Sequence, residues 1–236
     1  MLIAIDNGHG LNTSGKSTPT MIDGRVIKEW EFNYPTAKKL GEILIYNGFN
    51  VLFVSDTEED TPLNTRTSKA NQAKADAYVS IHFNALQGVW GNHGGIETYH
   101  YPNSTEGKKL ADLVQEELIK ETGLRNRGVK SADFHVLRET NMVAILAECG
   151  FMDNLEEAKL MIDANYQLKC ARGIAKGICK YFGVEYKEIT IEYSPWAVEA
   201  MEWAIKLGLT DGTNSKEPIS LERFITILYR YDKTRV

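Results

Sequence analysis

Short apolar runs alternate with longer amphipathic stretches over the first 183 residues, and this alternation constrains the fold more than any other feature. Five runs predict buried strands: residues 2–5, 51–54, 77–81, 96–99 and 143–146. Four regions predict helices: residues 31–47, 65–75, 108–122 and, holding two helical patterns, 155–182. Strands that alternate with helices indicate an α/β fold, with a mainly parallel, twisted sheet that helices cover on both faces.

The C-terminal end follows a different pattern. Trp196, Ala200 and Trp203 recur at helical spacing, and Ser220 can cap a second helix. A helical hairpin of this size is too small to bury a core of its own, so we expect it to pack on another surface. We predict three parts: a main domain at 1–183, a polar linker at 184–192 and a small helical module at 193–236.

Composition narrows the function classes. The chain has 236 residues and a net charge of −5, which argues against affinity based on neutralising nucleic-acid phosphates. No stretch approaches the roughly 20 apolar residues of a membrane-spanning helix, so we expect neither nucleic-acid binding nor membrane insertion. The N-terminus shows no secretory signal pattern, and three cysteines, Cys149, Cys170 and Cys179, do not suggest a disulfide framework. These features predict synthesis in the reducing cytoplasm.

Four ionisable residues fall near the ends of the predicted strands. His9 follows the first strand, His82 follows the third, and Glu148 follows the strand at 143–146. Glu29 stands at the start of the first helix. Residues beyond the carboxyl ends of parallel strands line the usual site crevice of an α/β sheet. We therefore expect two imidazoles and two carboxylates to converge at one sheet edge.

Two neutral imidazoles and one carboxylate form a typical catalytic zinc shell with an open fourth position. A second carboxylate that does not bind the metal can act as general base toward water and then as acid toward a leaving amine. Amide hydrolysis needs both of these steps. The sequence therefore predicts a zinc hydrolase, and the pattern alone leaves open which glutamate has which role.

Other motifs are weaker candidates. His93, His100 and His135 are interpreted as surface or loop residues, and Cys149 as a small buried residue at a strand end, with a catalytic thiolate as the alternative. The residues around Asp6 also allow the phosphate loop of an actin-like ATPase, but the second loop of such proteins is missing. The sequence has no serine-hydrolase elbow, Walker loop or His-Glu-x-x-His helix.

Several spaced blocks resemble the zinc-dependent N-acetylmuramoyl-L-alanine amidases (the Amidase_3 family). The blocks occur in the expected order at residues 3–10, 29–33, 80–85, 126–130, 134–138 and 141–151. The resemblance covers residues 1–183. It implies that His9, Glu29 and His82 bind one zinc ion per chain and that Glu148 is the general base. It also implies the substrate, the amide between the lactyl group of N-acetylmuramic acid and L-alanine in peptidoglycan.

The tail resembles one S-layer-homology repeat, a module that binds secondary cell-wall polymers. The residues that carry this resemblance include Trp196, Trp203 and the stretch 208–213. A catalytic domain joined to such a module without an export signal is similar to a bacteriophage endolysin, made in the host cytoplasm and released to the wall through a holin. The alternatives are a bacterial autolysin, a sporulation amidase, a zinc enzyme that cleaves another wall bond and a non-catalytic wall-binding protein. The sequence does not predict an oligomeric state.

Overall fold

The computed structural model describes residues 1–189, 198–206 and 221–233. Six strands form one sheet in the order β2-β1-β3-β6-β4-β5. Their bounds are β1 Leu2–Asn7, β2 Asn50–Ser55, β3 Ala77–Asn84, β4 Ile96–His100, β5 Asn126–Ser131 and β6 Val143–Phe151. The four strands β2, β1, β3 and β6 are parallel neighbours, whereas β4 runs antiparallel to β6 and parallel to β5. The predicted α/β fold with a mainly parallel sheet is confirmed.

Helices cover both faces of the sheet. Helices α1, α3 and α6 pack together on one face, and the shorter helices α2 and α4 pack on the other. The helices of this part of the chain are α1 Trp30–Tyr46, α2 Leu63–Gln72, α3 Thr105–Thr122, α4 His135–Arg138, α5 Leu155–Leu160 and α6 Ala164–Phe182. Alternate strand residues point to opposite faces, so Ile3 and Ile5 belong to one core layer and Ala4 to the other.

Two strands extend further than the apolar runs indicated. Strand β3 continues to Asn84 and β6 continues to Phe151, so His82 and Glu148 lie within their strands instead of after them. The sequence pattern does not predict β5, because Asn126–Ser131 is mostly polar and has no alternating apolar residues. Strand β5 is a half-exposed edge strand, so it does not need the apolar run that marks a central strand buried on both faces.

Two local features allow α1, α3 and α6 to pack closely: a hydrogen bond near Pro35 and a glycine at a helix contact. Pro35 lies inside α1 and cannot donate to the carbonyl of Glu31, and the side-chain amide of Gln167 on α6 donates to that oxygen at 3.3 Å. Gly177 faces Val114 of α3, and a Cβ atom at Gly177 would lie 2.5 Å from the Val114 Cα. Glycine at this position lets the two helix backbones approach.

A buried ion pair connects the first strand to α2. The Arg66 Nη1 and Asp6 Oδ1 atoms are 2.6 Å apart, and both side chains are 1% exposed. Arg66 also donates to the backbone oxygen of Asn7 at 3.1 Å and to Asp60 at 2.7 Å. The second Asp6 oxygen accepts a hydrogen bond of 2.7 Å from the Ser80 hydroxyl. This network fixes the carboxyl end of β1 against β3.

The chain divides into two compact units, Met1–Lys187 and Glu188–Val236. In the second unit, α7 Val198–Lys206 and α8 Leu221–Lys233 are helical, and the Trp203 and Tyr231 rings are 5.0 Å apart. The predicted Ser220 cap, the 208–213 stretch, Trp196 and the end of the linker at 190–192 lie outside the described residues. None of the helices in the described ranges has the length and apolar character that crossing a bilayer requires.

Replacing Arg66 by Met is expected to lower the free energy of unfolding by about 3–5 kcal/mol, because it leaves the Asp6 carboxylate buried without its cation. Adding Asp6→Asn should recover a large part of this loss, because the unpaired charge is then removed. Urea denaturation of both variants measures the difference. Lys159→Met is the control, since Lys159 pairs with Glu156 at the surface. This substitution should lower the free energy of unfolding by less than about 1 kcal/mol. Equal losses of unfolding free energy in Arg66→Met and Lys159→Met would contradict this role for Arg66.

Candidate metal centre and active site

Three side chains from three different elements meet at the carboxyl edge of the sheet. His9 follows β1 and has a positive φ of 64°, a conformation that non-glycine residues rarely adopt. The preceding peptide is held on both sides, since Gly8 N donates to Ile81 at 3.1 Å and Asn33 Nδ2 donates to Gly8 O at 2.9 Å. Glu29 stands immediately before α1, and His82 lies near the end of β3.

The distances among these three side chains suit a single cation. Glu29 Oε1 lies 3.0 Å from His82 Nδ1, and Glu29 Oε2 lies 3.5 Å from His9 Nε2. One ligand atom from each residue lies within 4.8 Å of the others. Tetrahedral zinc with bonds of about 2.0–2.1 Å separates its ligand atoms by about 3.3–3.5 Å. The side chains therefore need only small adjustments to hold such an ion.

The hydrogen bonding of Glu29 supports a cation at this place. Its Oε1 atom accepts from the Phe83 amide at 3.1 Å and from Asn33 Nδ2 at 3.1 Å. Its Oε2 atom is buried and has no hydrogen-bond partner. A buried carboxylate oxygen without a partner is costly, and a metal bond would satisfy it. Two imidazoles and a carboxylate are also the donor set that zinc prefers.

The protonation of His9 and Glu29 suits metal binding as well, whereas at His82 burial opposes the charged form but the contact with Glu29 raises the pKa. Burial lowers the pKa of His9 to about 4, so its imidazole is neutral at pH 7. Although burial opposes the charged form of Glu29, the hydrogen bond from His82 and the two imidazoles lower the Glu29 pKa to about 2. A neutral imidazole and an ionised carboxylate are the forms that coordinate a metal.

Glu148 lies beside this cluster in a different environment. It pairs in register with His82 across the β3–β6 ladder, one strand spacing away. Its Oε2 atom is buried without a hydrogen-bond partner. Burial raises the pKa of Glu148 to about 8, the nearby His82 opposes this, and the Glu29 charge adds to it. A carboxyl that exchanges its proton near neutral pH is suited to general acid–base work.

The buried network around Asp6 reaches the cluster of His9, Glu29 and His82 through Ser80. The Ser80 hydroxyl lies 3.0 Å from His82 Nε2 and donates to Asp6, which pairs with Arg66. This chain of contacts fixes the orientation of the His82 ring. Partners of this kind orient the ligands of metal sites.

The remaining candidates lie away from the cluster. His93 Nε2 contacts Asp153 Oδ1 at 2.5 Å and lies in a loop as predicted, and His135 begins α4. The interpretation of His100 as a surface or loop residue is wrong, because it is buried within β4. Cys149 is buried and free, and its contact with Cys170 together with burial raises its thiol pKa well above the usual value. A buried thiol with a raised pKa does not favour a catalytic thiolate at Cys149.

Sequence reasoning assigned no role to a second charged cluster near Glu148. Glu97 at the start of β4 pairs in register with Glu148, and Arg127 and Lys130 on β5 contact the Glu97 carboxylate. The strand pattern at 96–99 was recognised, but the antiparallel direction of β4 was not. Without that direction, Glu97 cannot be placed at the edge that holds the metal cluster.

Known proteins are similar to this chain in both fold and sequence. The family profile described as N-acetylmuramoyl-L-alanine amidase matches residues 3–180, most of the chain. The chain belongs to this amidase family. The crystal structure of N-acetylmuramoyl-L-alanine amidase from Clostridium difficile 630 is 35% identical, with a TM-score of 0.70, and the match covers 77% of this chain and 96% of that one.

The curated relatives of this chain include both bacterial and phage proteins. N-acetylmuramoyl-L-alanine amidase CwlM of Bacillus licheniformis is 36% identical over 77% of this chain and 69% of its own length. The endolysin of Bacillus phage SPP1 is 35% identical over 79% of this chain and 68% of its own length. Family membership is therefore shown for the unit that contains the cluster.

Gly8→Ala is expected to weaken zinc binding at least ten-fold, because a Cβ atom at Gly8 would lie 2.0 Å from the His82 ring and displace it. Competition with a chromophoric chelator measures the affinity. Gly41→Ala is the control: its Cβ also crowds a ring, that of Phe53, but far from the cluster. Unchanged zinc affinity in Gly8→Ala would show that the His82 position is not critical.

Proposed function

We propose that this chain is a zinc-dependent N-acetylmuramoyl-L-alanine amidase that cleaves the amide between the lactyl group of N-acetylmuramic acid and L-alanine in peptidoglycan. One observation carries the proposal: Glu148 is a half-buried residue with one buried, unpartnered carboxyl oxygen, and it lies beside a cluster of His9, Glu29 and His82 that suits one zinc ion. Membership of the amidase family and the names of its relatives support the choice of substrate.

In this proposal His9, Glu29 and His82 hold the metal, and Glu148 moves the proton. Zinc at such a site supplies Lewis acidity toward the scissile carbonyl and lowers the pKa of an attacking water. Glu148 accepts a proton from that water as its oxygen bonds to the carbonyl carbon. Glu148 then returns the proton to the alanine nitrogen as the C–N bond breaks. The products are a free lactyl carboxylate and a peptide with a free alanine amino group.

The two glutamates differ in a way that suits these separate roles. Glu29 has its pKa lowered to about 2 and stays ionised, which a permanent ligand requires. Glu148 has its pKa raised to about 8 by burial, so it can both hold and release a proton near neutral pH. Pairs of carboxyl groups whose environments separate their pKa values are typical of acid–base sites.

Purified peptidoglycan treated with the wild-type protein is expected to gain alanine amino termini without new reducing sugars. Chelation should abolish this release and added zinc should restore it. Glu148→Gln should lower turnover by at least about 100-fold, because the amide cannot accept a proton, while zinc content measured by elemental analysis stays at one ion per chain.

Glu156→Gln serves as the control, since Glu156 is an exposed residue of α5 and should keep full turnover. Release of other termini would keep the metal site but assign a different wall bond. No release by zinc-loaded protein would favour a wall-binding protein. A Glu148→Gln variant with most of its activity would remove Glu148 from this role.

We further propose that the enzyme acts as a phage endolysin, made in the host cytoplasm and released to the wall, and that residues 193–236 bind a secondary cell-wall polymer. The similarity to the SPP1 endolysin supports the first part. The tail pattern of Trp196, Trp203 and 208–213 supports the second. The alternative is that this chain is a bacterial autolysin, and its similarity to the bacterial protein CwlM supports that alternative.

Expression inside a Gram-positive host is expected to leave cells intact until a pore-forming protein opens the membrane, after which turbidity falls within minutes. Glu148→Gln expressed at the same level is the control and should not lyse the cells. Lysis without membrane opening would contradict cytoplasmic retention. Binding by the tail is measured as co-sedimentation of the protein with purified cell walls. Loss of co-sedimentation after the secondary polymer has been extracted from the walls would support the role of the tail, and unchanged co-sedimentation would contradict it.

A further inference from the structure

A cluster of four polar residues lies next to Glu148 and has no part in the chemistry described above. Glu97 is 2% exposed, and its Oε1 atom accepts from Lys130 at 2.7 Å and from Arg127 Nε. Its Oε2 atom accepts from the Tyr99 hydroxyl at 2.5 Å. Burial opposes ionisation of Glu97, but these three donors lower its pKa. The carboxylate is therefore ionised and fully bonded.

The sheet places this cluster in line with the catalytic residues. His82 pairs with Glu148, and Glu148 pairs with Glu97 on the next strand. Lys130 pairs with Tyr99, which has the same side-chain direction as Glu97. Neighbouring strands are about 4.8 Å apart, so the backbone of β5 lies about 10 Å from that of Glu148. The cations thus flank the site on the side away from β1.

The cluster holds more positive charge than Glu97 needs. One cation balances the carboxylate, and the second leaves a net charge of about +1. The side chains of Arg127 and Lys130 are 22% and 39% exposed, so both are partly open to solvent. The nearby Glu157 forms its hydrogen bonds with the amides of Gly95 and Phe151 instead of with these two cations, and burial raises its pKa.

The Arg127 guanidinium is held in place from a second direction. Its central carbon lies 4.7 Å from the centre of the Phe151 ring at the end of β6. A planar cation between an aromatic ring and a carboxylate keeps one fixed orientation. Lys130 has a flexible arm, and its ammonium can contact Glu97 and a bound anion together.

We propose that Arg127 and Lys130 form a subsite for a carboxylate on the leaving peptide, located on the alanine side of the scissile amide. This inference rests on the proposed function. An extended peptide advances about 3.5 Å per residue. The Lys130 side chain extends from β5 toward the catalytic residues, so the peptide does not have to cover the whole distance between the backbones of Glu148 and β5. The anion therefore belongs to the second residue of the stem, a γ-linked glutamate whose α-carboxyl is either free or amidated. A free carboxylate would bind, and the neutral amide would not.

The test compares two sets of soluble glycan strands whose stem peptides differ only in that free or amidated α-carboxyl. The wild-type protein is expected to show about ten-fold higher kcat/KM on the free acid, mostly through KM. Lys130→Met should lower kcat/KM on the acid about ten-fold and leave the amidated strands within about three-fold. Lys130→Arg should keep the preference, because it keeps the charge.

Lys108→Met is the matched control, since Lys108 is 59% exposed at the start of α3, after the opposite end of β4. It should keep the wild-type ratio. Equal rates of the wild-type protein on both strands, or equal losses on both in Lys130→Met, would overturn the subsite. Absence of free alanine amino termini from both strands and from whole walls with the wild type would instead reject the amidase itself.

Discussion

The parallel register of β1, β3 and β6 is the constraint on which the site depends. It places Asp6 beside Ser80 and His82 beside Glu148, with the carboxyl ends of all three strands at one edge. A slip of one residue would turn His82 and Glu148 to the other face of the sheet. The buried Asp6–Arg66 pair opposes such a slip, because the Asp6 charge has its cation and its Ser80 hydroxyl only in this register.

Two buried glutamates, Glu29 and Glu97, and the half-buried Glu148 lie at one edge of the sheet, and their neighbours keep them in different protonation states. Glu29 contacts two imidazoles and two amide donors and stays ionised. Glu97 contacts two cations and a phenol and also stays ionised. Glu148 has an oxygen with no partner, so burial determines its proton affinity. In the proposed mechanism, one residue type thereby supplies a metal ligand, an anchor for cations and a proton carrier.

The sequence predicts the parts of the structure that follow from local pattern. Buried central strands appear as apolar runs, and His9, Glu29, His82 and Glu148 follow from their places at strand and helix ends. The polar strand β5 and the direction of β4 do not follow, because edge strands need no apolar run and direction depends on tertiary contacts. His100 was misplaced for a related reason, since a polar residue in a buried strand leaves no local signal.

The antiparallel direction of β4 has a consequence for substrate selection. In an all-parallel sheet, the strands beyond β6 would bring their carboxyl ends to the catalytic edge. Here β4 and β5 bring their amino-terminal residues instead, so Glu97 and Arg127 come from strand beginnings. These positions are joined to the loops at 85–95 and 124–125, not to the elements that hold His9, Glu29 and His82. If the proposed subsite is correct, substitutions in β5 change which stem peptide is bound without moving His9, Glu29 or His82.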